Sequence, residues 1–395
     1  MLMERLNAAI AQLRGAGTYK ELRYLTGPMG PTATIEGVGE VLVFCSNNYL
    51  GLADHPEVVE AGVEGLHRYG AGTASVRFIC GTMDCHRALE ERLAAFLGTE
   101  AALTYVSCWS ANEGLLTNLV QDGDALLSDE LNHASIIDAT RLARQATRKV
   151  YAHADMAALE RTLIETASAP VKIVVTDGVF SMEGDVAPLR ETIAVCRRHG
   201  ATLVVDDSHA VGVLGAGGRG THEHFHLPGS APTGVDIFTG TLGKALGGAA
   251  GGYVAGSRAV IEFLIQRSRP QLFSNALPPT VACSATKALE ILEREPQRVA
   301  QLQANVTHTR DGLRRLGYEV LESPTAILPI IVGDTATAIR LSERLLQRGV
   351  FVIGFGFPVV PEGKARLRVQ MSAAHTTEHI DRALAAFAEL KQEKL

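Results

Sequence analysis

Lys244 lies in Val235-Asp-Ile-Phe-Thr-Gly-Thr-Leu-Gly-Lys-Ala-Leu-Gly-Gly-Ala-Ala-Gly-Gly-Tyr253, the only charged residue after Asp236 in a run of glycines and apolar residues. The chain uses lysine sparingly, for 8 of its 37 Lys and Arg residues, so a lysine at this point has a use that arginine cannot fill. A primary amine can lose its proton and condense with a carbonyl to a Schiff base, whereas guanidinium stays charged. The glycines let backbone approach a bulky planar ligand, and apolar surroundings favour the uncharged amine. A phosphate-cradling P-loop would need glycine and then serine or threonine where Phe238 and Ala245 stand, which excludes it. A surface lysine at a turn is the plain alternative.

Three further segments carry candidate chemistry. Thr202-Leu-Val-Val-Val-Asp-Asp-Ser-His-Ala-Val-Gly212 puts Asp206 at the end of an apolar strand with His209 just beyond. A carboxylate buried there is costly unless it meets a cation, and a protonated pyridine nitrogen is such a cation. The plain reading is a helix cap made by Asp207 or Ser208. Ser107-Cys-Trp-Ser-Ala-Asn-Glu-Gly114 passes from strand to helix, so its free amides and positive dipole end suit a phosphate. His133 follows another strand end and offers a flat ring for stacking; a hydrogen-bonded core histidine is its alternative. Lysine, buried carboxylate, phosphate-type helix start and stacking ring together meet the four needs of pyridoxal phosphate.

These positions fall where a sheet would place them. Ala101–Val106, Ala125–Ser128, Val171–Thr176, Thr202–Asp206 and Asp236–Thr239 read as strands, with helices at Asn112–Val120, Ile136–Gln145, Met156–Thr166 and Leu189–His199 between them. The alternation predicts an α/β domain with a mostly parallel sheet covered by helices on both faces, and ligands at the carboxyl ends of its strands. Ser107 to Trp109, Asp129 to His133, Asp177 to Ser181, Asp206 to His209 and Thr241 to Lys244 follow the five strands in turn. Beyond about residue 280 the pattern changes to helices at Pro279–Arg294, Val299–Leu316 and Thr337–Arg348, with strands near Ile327–Val332, Val350–Ile353 and Ala365–Val369. The expected division is residues 1–50 packing with the smaller domain, a large domain over 51–280, and a small α+β domain over 281–395. Leu6, Ala9, Ile10 and Leu13 are spaced as one face of an amphipathic helix in the first of these.

With 395 residues, 46% hydrophobic and 20% charged, the chain can bury a full core. A net charge of −6 and scattered basic residues point to neither a nucleic-acid nor a membrane partner. No long apolar tract has the composition of a membrane span, and the first helix does not read as a secretory signal, so a cytoplasmic protein is expected. Six cysteines without a paired spacing read as reduced thiols, not as a zinc site. The cluster His222, His224 and His226 suggests a metal, but it lacks a cysteine or carboxylate framework, so no metal is expected and a polar loop is the favoured reading.

The chain resembles the α-oxoamine synthase group of fold-type I pyridoxal-phosphate enzymes over nearly its whole length. The resemblance is carried by Phe44-Cys-Ser-Asn-Asn-Tyr-Leu-Gly-Leu52, Ala74-Ser-Val-Arg-Phe-Ile-Cys-Gly-Thr82, Asp129-Glu-Leu-Asn-His-Ala-Ser-Ile-Ile137, Thr176-Asp-Gly-Val-Phe-Ser-Met182, the Asp206 and Lys244 segments, Arg267-Ser-Arg-Pro270 and Gln370-Met-Ser-Ala-Ala-His-Thr376. It implies a large domain with a seven-stranded, mostly parallel sheet. It also implies Lys244 as the Schiff-base lysine, Asp206 on the pyridine nitrogen, His209 on the ring hydroxyl and His133 stacked on the ring. Cys108 and Trp109 by their backbone, with Thr241 and Ser181, are implied to hold pyridoxal 5'-phosphate. Ser274 and Asn275 would reach a partner subunit's phosphate, which implies a homodimer with shared active sites. Asn47 and Arg368, the latter chosen over Arg366, would hold the amino-acid carboxylate. Trp109 departs from the phenylalanine or tyrosine of many relatives. The implied reaction joins glycine to acetyl-coenzyme A; alanine with pimeloyl-coenzyme A, with decarboxylation, is the alternative. A silent cofactor-binding scaffold is a third.

Overall fold

Apolar, β-branched runs form the strands of the computed structural model, which describes residues 1–229, 234–357 and 359–393. In chain order they are β1 Thr32–Ile35, β2 Gly39–Val43, β3 Ala101–Tyr105, β4 Ala125–Asp129, β5 Thr147–Tyr151, β6 Lys172–Asp177, β7 Thr202–Asp206, β8 Ile237–Thr241, β9 Gly252–Gly256, β10 Ile327–Gly333, β11 Val350–Phe351, β12 Ile353–Phe355 and β13 Ala365–Gln370. Two units emerge. One holds residues 50–181 and 185–300; the other holds 1–49, 182–184 and 301–395.

The first unit contains the seven-stranded sheet, in the order β3-β9-β8-β7-β6-β4-β5. β9 runs antiparallel to both β3 and β8, and the remaining pairings are parallel, so the other strands share one direction. Their carboxyl ends therefore lie along one edge of the sheet, which is where the expected site residues are attached. β4 is buried along its whole length and β6 and β7 after their first residues, as expected of strands covered on both faces. The core includes Leu103, Leu115, Leu116, Leu126, Ile136, Val175, Val204 and Val254.

Helix Pro279–Arg294, which the sequence reading gives mostly to the smaller domain, belongs to this unit. It packs against helix Pro56–Tyr69 at very close range: a Cβ on Gly65 would come 2.9 Å from the Cys283 sulfur, so only glycine admits this crossing unshifted. His222, from the histidine cluster, is buried with its ring tilted over Phe238, and burial lowers its pKa to about 4.

In the other unit β2 pairs antiparallel with β1 and parallel with β11, and β13 lies between β10 and β12. Helix Leu2–Gly15 forms as the periodicity predicts, yet none of its residues is buried; Leu6, Ile10 and Leu13 remain 43%, 42% and 46% exposed. β1 and β2 instead supply buried side chains of the 1–50 segment, among them Ile35, Val41 and Leu42. No helix among the described residues is long and apolar enough to cross a membrane.

Candidate active site

The carboxyl ends of β3, β4, β6, β7 and β8 converge on a cavity of about 240 Å³. Its walls are Ser107, Cys108, Trp109, His133, Ser135, Asp177, Asp206, Ser208, His209, Thr241 and Lys244. Seven of the sequence-predicted residues thus meet at one place.

Asp206 is 3% exposed and ends β7. One carboxylate oxygen accepts the Ser208 backbone N–H at 2.9 Å. The other accepts the Asn112 Nδ2–H at 2.7 Å and the Cys108 thiol at 3.5 Å. Burial works to raise its pKa, but the Ser208 and Asn112 hydrogen bonds and the charge of Lys244 outweigh it and hold Asp206 below the ordinary value. This carboxylate is kept ionised in a dry place, and hydrogen bonds alone do not neutralise it.

Asp177 lies beside it in register on β6 and also faces the cavity. One of its oxygens accepts the His133 backbone N–H at 2.7 Å. Burial first, then the neighbouring Asp206 charge, push its pKa well up. The two carboxyls are therefore pushed apart, Asp206 down and Asp177 up, a division suited to different roles. Asp207 points elsewhere, onto the Thr221 N–H at 2.9 Å and hydroxyl at 2.7 Å, so it is no cap for the segment after β7.

Helix Cys108–Leu119 starts at the cavity with Ser107 as its N-cap, accepting the Ser110 N–H at 3.1 Å. Its first-turn amides have no intrahelical partner and add a positive dipole end. A Cβ on Gly252 would overlap the Cys108 backbone, so glycine in β9 is what lets this helix end come so close. Trp109 stands edge-on to His133, with ring centroids 6.2 Å apart.

Lys244 sits in the connection between β8 and β9. That connection is closed by the Leu242 N–H on Gly251 O at 2.9 Å and by the Thr241 hydroxyl on the same oxygen at 3.2 Å. Thr241 Oγ1 also accepts the Gly243 N–H at 3.0 Å. Its one hydroxyl proton is thus used inside the loop and must turn to serve a phosphate. Leu242, Ala245 and Leu246 beside the lysine are buried.

The donor set fits pyridoxal phosphate. An amine, an ionised buried carboxylate, a helix amino end and a flat imidazole line one cavity, and the absence of a side chain on Gly252 leaves the Cys108 backbone room there.

The other expected residues are not among those that line this cavity. Ser181 follows Phe180 in the turn after β6 and does not line the cavity. Ser274 and Asn275 follow helix Arg269–Leu272, where Asn275 makes an antiparallel bridge to Val76. In the other unit, Arg368 Nη2 donates to Asn47 Oδ1 at 3.3 Å, and Gln370 Nε2 donates to the same oxygen at 2.7 Å and to the Tyr49 hydroxyl at 2.9 Å. Arg366 is already paired with Glu183 at 3.0 Å, whereas Arg368, 7% exposed, has no carboxylate partner among the described residues. Burial lowers its pKa.

Asn112, Ser135 and Ser208 are members that sequence reasoning missed as functional. Asn112 lies inside the quoted helix-start segment, four residues after Cys108, one helical turn on and so on the same side. That spacing was the available signal.

Comparison with known proteins agrees with this geometry. The profile of the family "Aminotransferase class I and II" matches residues 39–387. The human mitochondrial 2-amino-3-ketobutyrate coenzyme A ligase is 47% identical over 386 residues, 98% of this chain and 91% of the human protein. The 8-amino-7-oxononanoate synthase of Symbiobacterium thermophilum is 48% identical over 393 residues, 99% of this chain and 97% of its own. A solved structure of SPT with the PLP internal aldimine is 30% identical with a TM-score of 0.92, covering 98% of this chain and 96% of that one.

Proposed function

The chain belongs to the class I and II aminotransferase family, in its α-oxoamine synthase branch, and from that premise we propose that it joins glycine to acetyl-coenzyme A, giving 2-amino-3-oxobutyrate and coenzyme A reversibly. It is a pyridoxal-phosphate enzyme. The observation that carries the reading is the cavity that gathers Lys244, ionised Asp206, His133 and the amino end of helix Cys108–Leu119.

When bound, the cofactor supplies a protonated pyridine ring that draws electrons from the substrate α-carbon. Lys244 would hold it and would supply the base for the α-proton of the glycine substrate. Asp206 would meet the ring nitrogen and keep its proton in place; His209 would serve the ring hydroxyl and His133 the ring face. The amides of Cys108 and Trp109 take the phosphate, with the Thr241 hydroxyl turning toward it and Ser181 assisting. Arg368, with Asn47, takes the substrate carboxylate; its unpaired buried charge supports this over Arg366.

A homodimer is part of the reading, with Ser274 and Asn275 serving the partner's phosphate. It is supported by large apolar side chains left on each unit's surface, including Phe78, Ile79 and Phe273 on one and Leu6, Ile10 and Leu13 on the other. Six free thiols support the reducing cytoplasm as its place.

The 48% identity to an 8-amino-7-oxononanoate synthase favours a second reading, alanine with pimeloyl-coenzyme A and loss of carbon dioxide. Coenzyme A release with each pairing of glycine or alanine with acetyl or pimeloyl thioester decides between them. Fastest release with glycine and acetyl-coenzyme A, without carbon dioxide, is expected. Overpacking a short pocket costs about 1–3 kcal/mol, so preference should be at least about fivefold. Faster turnover of alanine and pimeloyl-coenzyme A would overturn the first reading and leave the cofactor site standing.

A further inference from the structure

Asn112 touches no position where the cofactor or substrate is expected, yet it connects two residues that do. Its Nδ2 donates one hydrogen to Asp206 Oδ2 at 2.7 Å and the other to Ser135 Oγ at 2.9 Å. Ser135 Oγ lies 2.8 Å from His133 Nδ1, and the Ser135 backbone N–H reaches the same nitrogen at 3.2 Å. Asn112 is 1% exposed and its Oδ1 has no partner.

Directions along this chain are forced. Turning the Asn112 amide over would set its oxygen against a carboxylate oxygen, so Nδ2 must face Asp206. A backbone N–H can only donate, so His133 Nδ1 is an acceptor and carries no proton. Ser135, which accepts from Asn112, gives its own hydrogen to that nitrogen. We propose that Asn112 is a positioning residue which holds Asp206 an aimed anion and turns the Ser135 hydroxyl onto His133 Nδ1, adding a second donor to the backbone N–H that already keeps the proton of this imidazole on Nε2. A neutral imidazole over the ring does not compete with the pyridine nitrogen for Asp206. The inference rests on the assignment of Asp206 and His133 to the cofactor ring. The charged and titratable groups around the chain are Asp177, on the His133 N–H, Cys108, on Asp206, and Lys244, His209 and Asp207 nearby.

Two substitutions separate this from a packing role. Asn112→Leu removes both donors at similar size and leaves Ser135 donating to His133. Asn112→Asp keeps the shape but presents an acceptor, so the Ser135 hydroxyl turns to it and away from His133, whose Nδ1 keeps only the backbone N–H. The experiment is 15N NMR of the histidine-labelled holoenzyme, with His133 assigned by its loss in His133→Asn, together with the cofactor dissociation constant. The parent enzyme should show His133 unprotonated at Nδ1. Asn112→Leu should keep that pattern and weaken the cofactor about ten- to a hundredfold, as losing a buried hydrogen bond to a charge does. Asn112→Asp should weaken the cofactor at least as much and move the Nδ1 resonance downfield, as loss of one of its two donors does, with Nδ1 still unprotonated. A protonated Nδ1 in the parent, or Asn112→Asp leaving His133 unchanged, overturns the proposal. The expected NMR patterns with cofactor affinity within twofold in both variants would overturn the seat of the ring nitrogen on Asp206 and leave the hydrogen-bond chain intact.

Discussion

Replacing Asp206 with asparagine should uncouple folding from chemistry. The new side chain matches the old in size, but three donors converge on its two outer atoms: the Ser208 N–H, the Asn112 amide and the Cys108 thiol. An amide nitrogen must face at least one of them, which costs about 1–3 kcal/mol of stability. The fold survives such a loss, since it is a fraction of what a domain of this size holds. The chemical cost is larger. An adjacent carboxylate raises a cationic partner's pKa by roughly 1–3 units, worth ~1.4–4 kcal/mol, or about ten- to a thousandfold in carbanion-forming rate. Exchange of the glycine α-protons in heavy water, followed by proton NMR with the visible band confirming bound cofactor, reads this step without any thioester. Asp177→Asn is the matched control. Burial and the Asp206 charge push the pKa of its carboxyl well up, and an amide oxygen can still accept the His133 N–H, so exchange should fall less than about tenfold. Exchange in Asp206→Asn within threefold of the parent, or an equal fall in both variants, would refute the division of roles between the two carboxyls.

Borohydride reduction of the yellow protein should fix the cofactor on the peptide that contains Lys244, as read by mass spectrometry; label on another lysine would sink that assignment. Arg368→Ala should raise the KM for glycine about ten- to a hundredfold while moving that for acetyl-coenzyme A little, because it removes a charge-assisted pair to a carboxylate. His153 bridges Asp129 at 3.1 Å and Asp185 at 2.8 Å. Burial opposes its charge, but these two partners outweigh burial and raise its pKa from 6.5 to about 10. That stabilisation is full below pH 6.5 and lost as pH rises through about 10. Denaturant titrations should therefore show stability declining over that window in the parent, and His153→Gln should be weaker by about 1–3 kcal/mol at neutral pH with this decline absent.

The sequence exposes those parts of this molecule that obey short-range rules. β3, β4, β6, β7 and β8 are apolar runs bounded by polar residues, and each lies within two residues of its expected limits. β5, with the sequence Thr-Arg-Lys-Val-Tyr, is an edge strand whose exposed charges guard it from further pairing, so it never reads as a core strand. β9 hides inside a glycine-rich tract, because its glycines answer to the helix end beside it and not to strand preference. Lys244, Asp206, His133 and His209 were legible from residue type at strand ends. Ser135 was not, and Asn112 showed only its place one helical turn from Cys108, because their importance arises only when β7 and two separate helix starts meet in space.

Within the seven-stranded sheet, the one antiparallel strand sets how the lysine is mounted. In an all-parallel sheet β8 would have to be followed by a long crossover, usually helical. Because β9 turns back beside β8, Lys244 rides on a loop closed at its ends, Leu242 to Gly251. An amine so mounted moves only on its four-carbon tether, so in the proposed role it would meet the substrate α-proton at an effective concentration that no free amine in solution could match. Cofactor anchor and base would then be one group in one place, and the hairpin would make each encounter an intramolecular event.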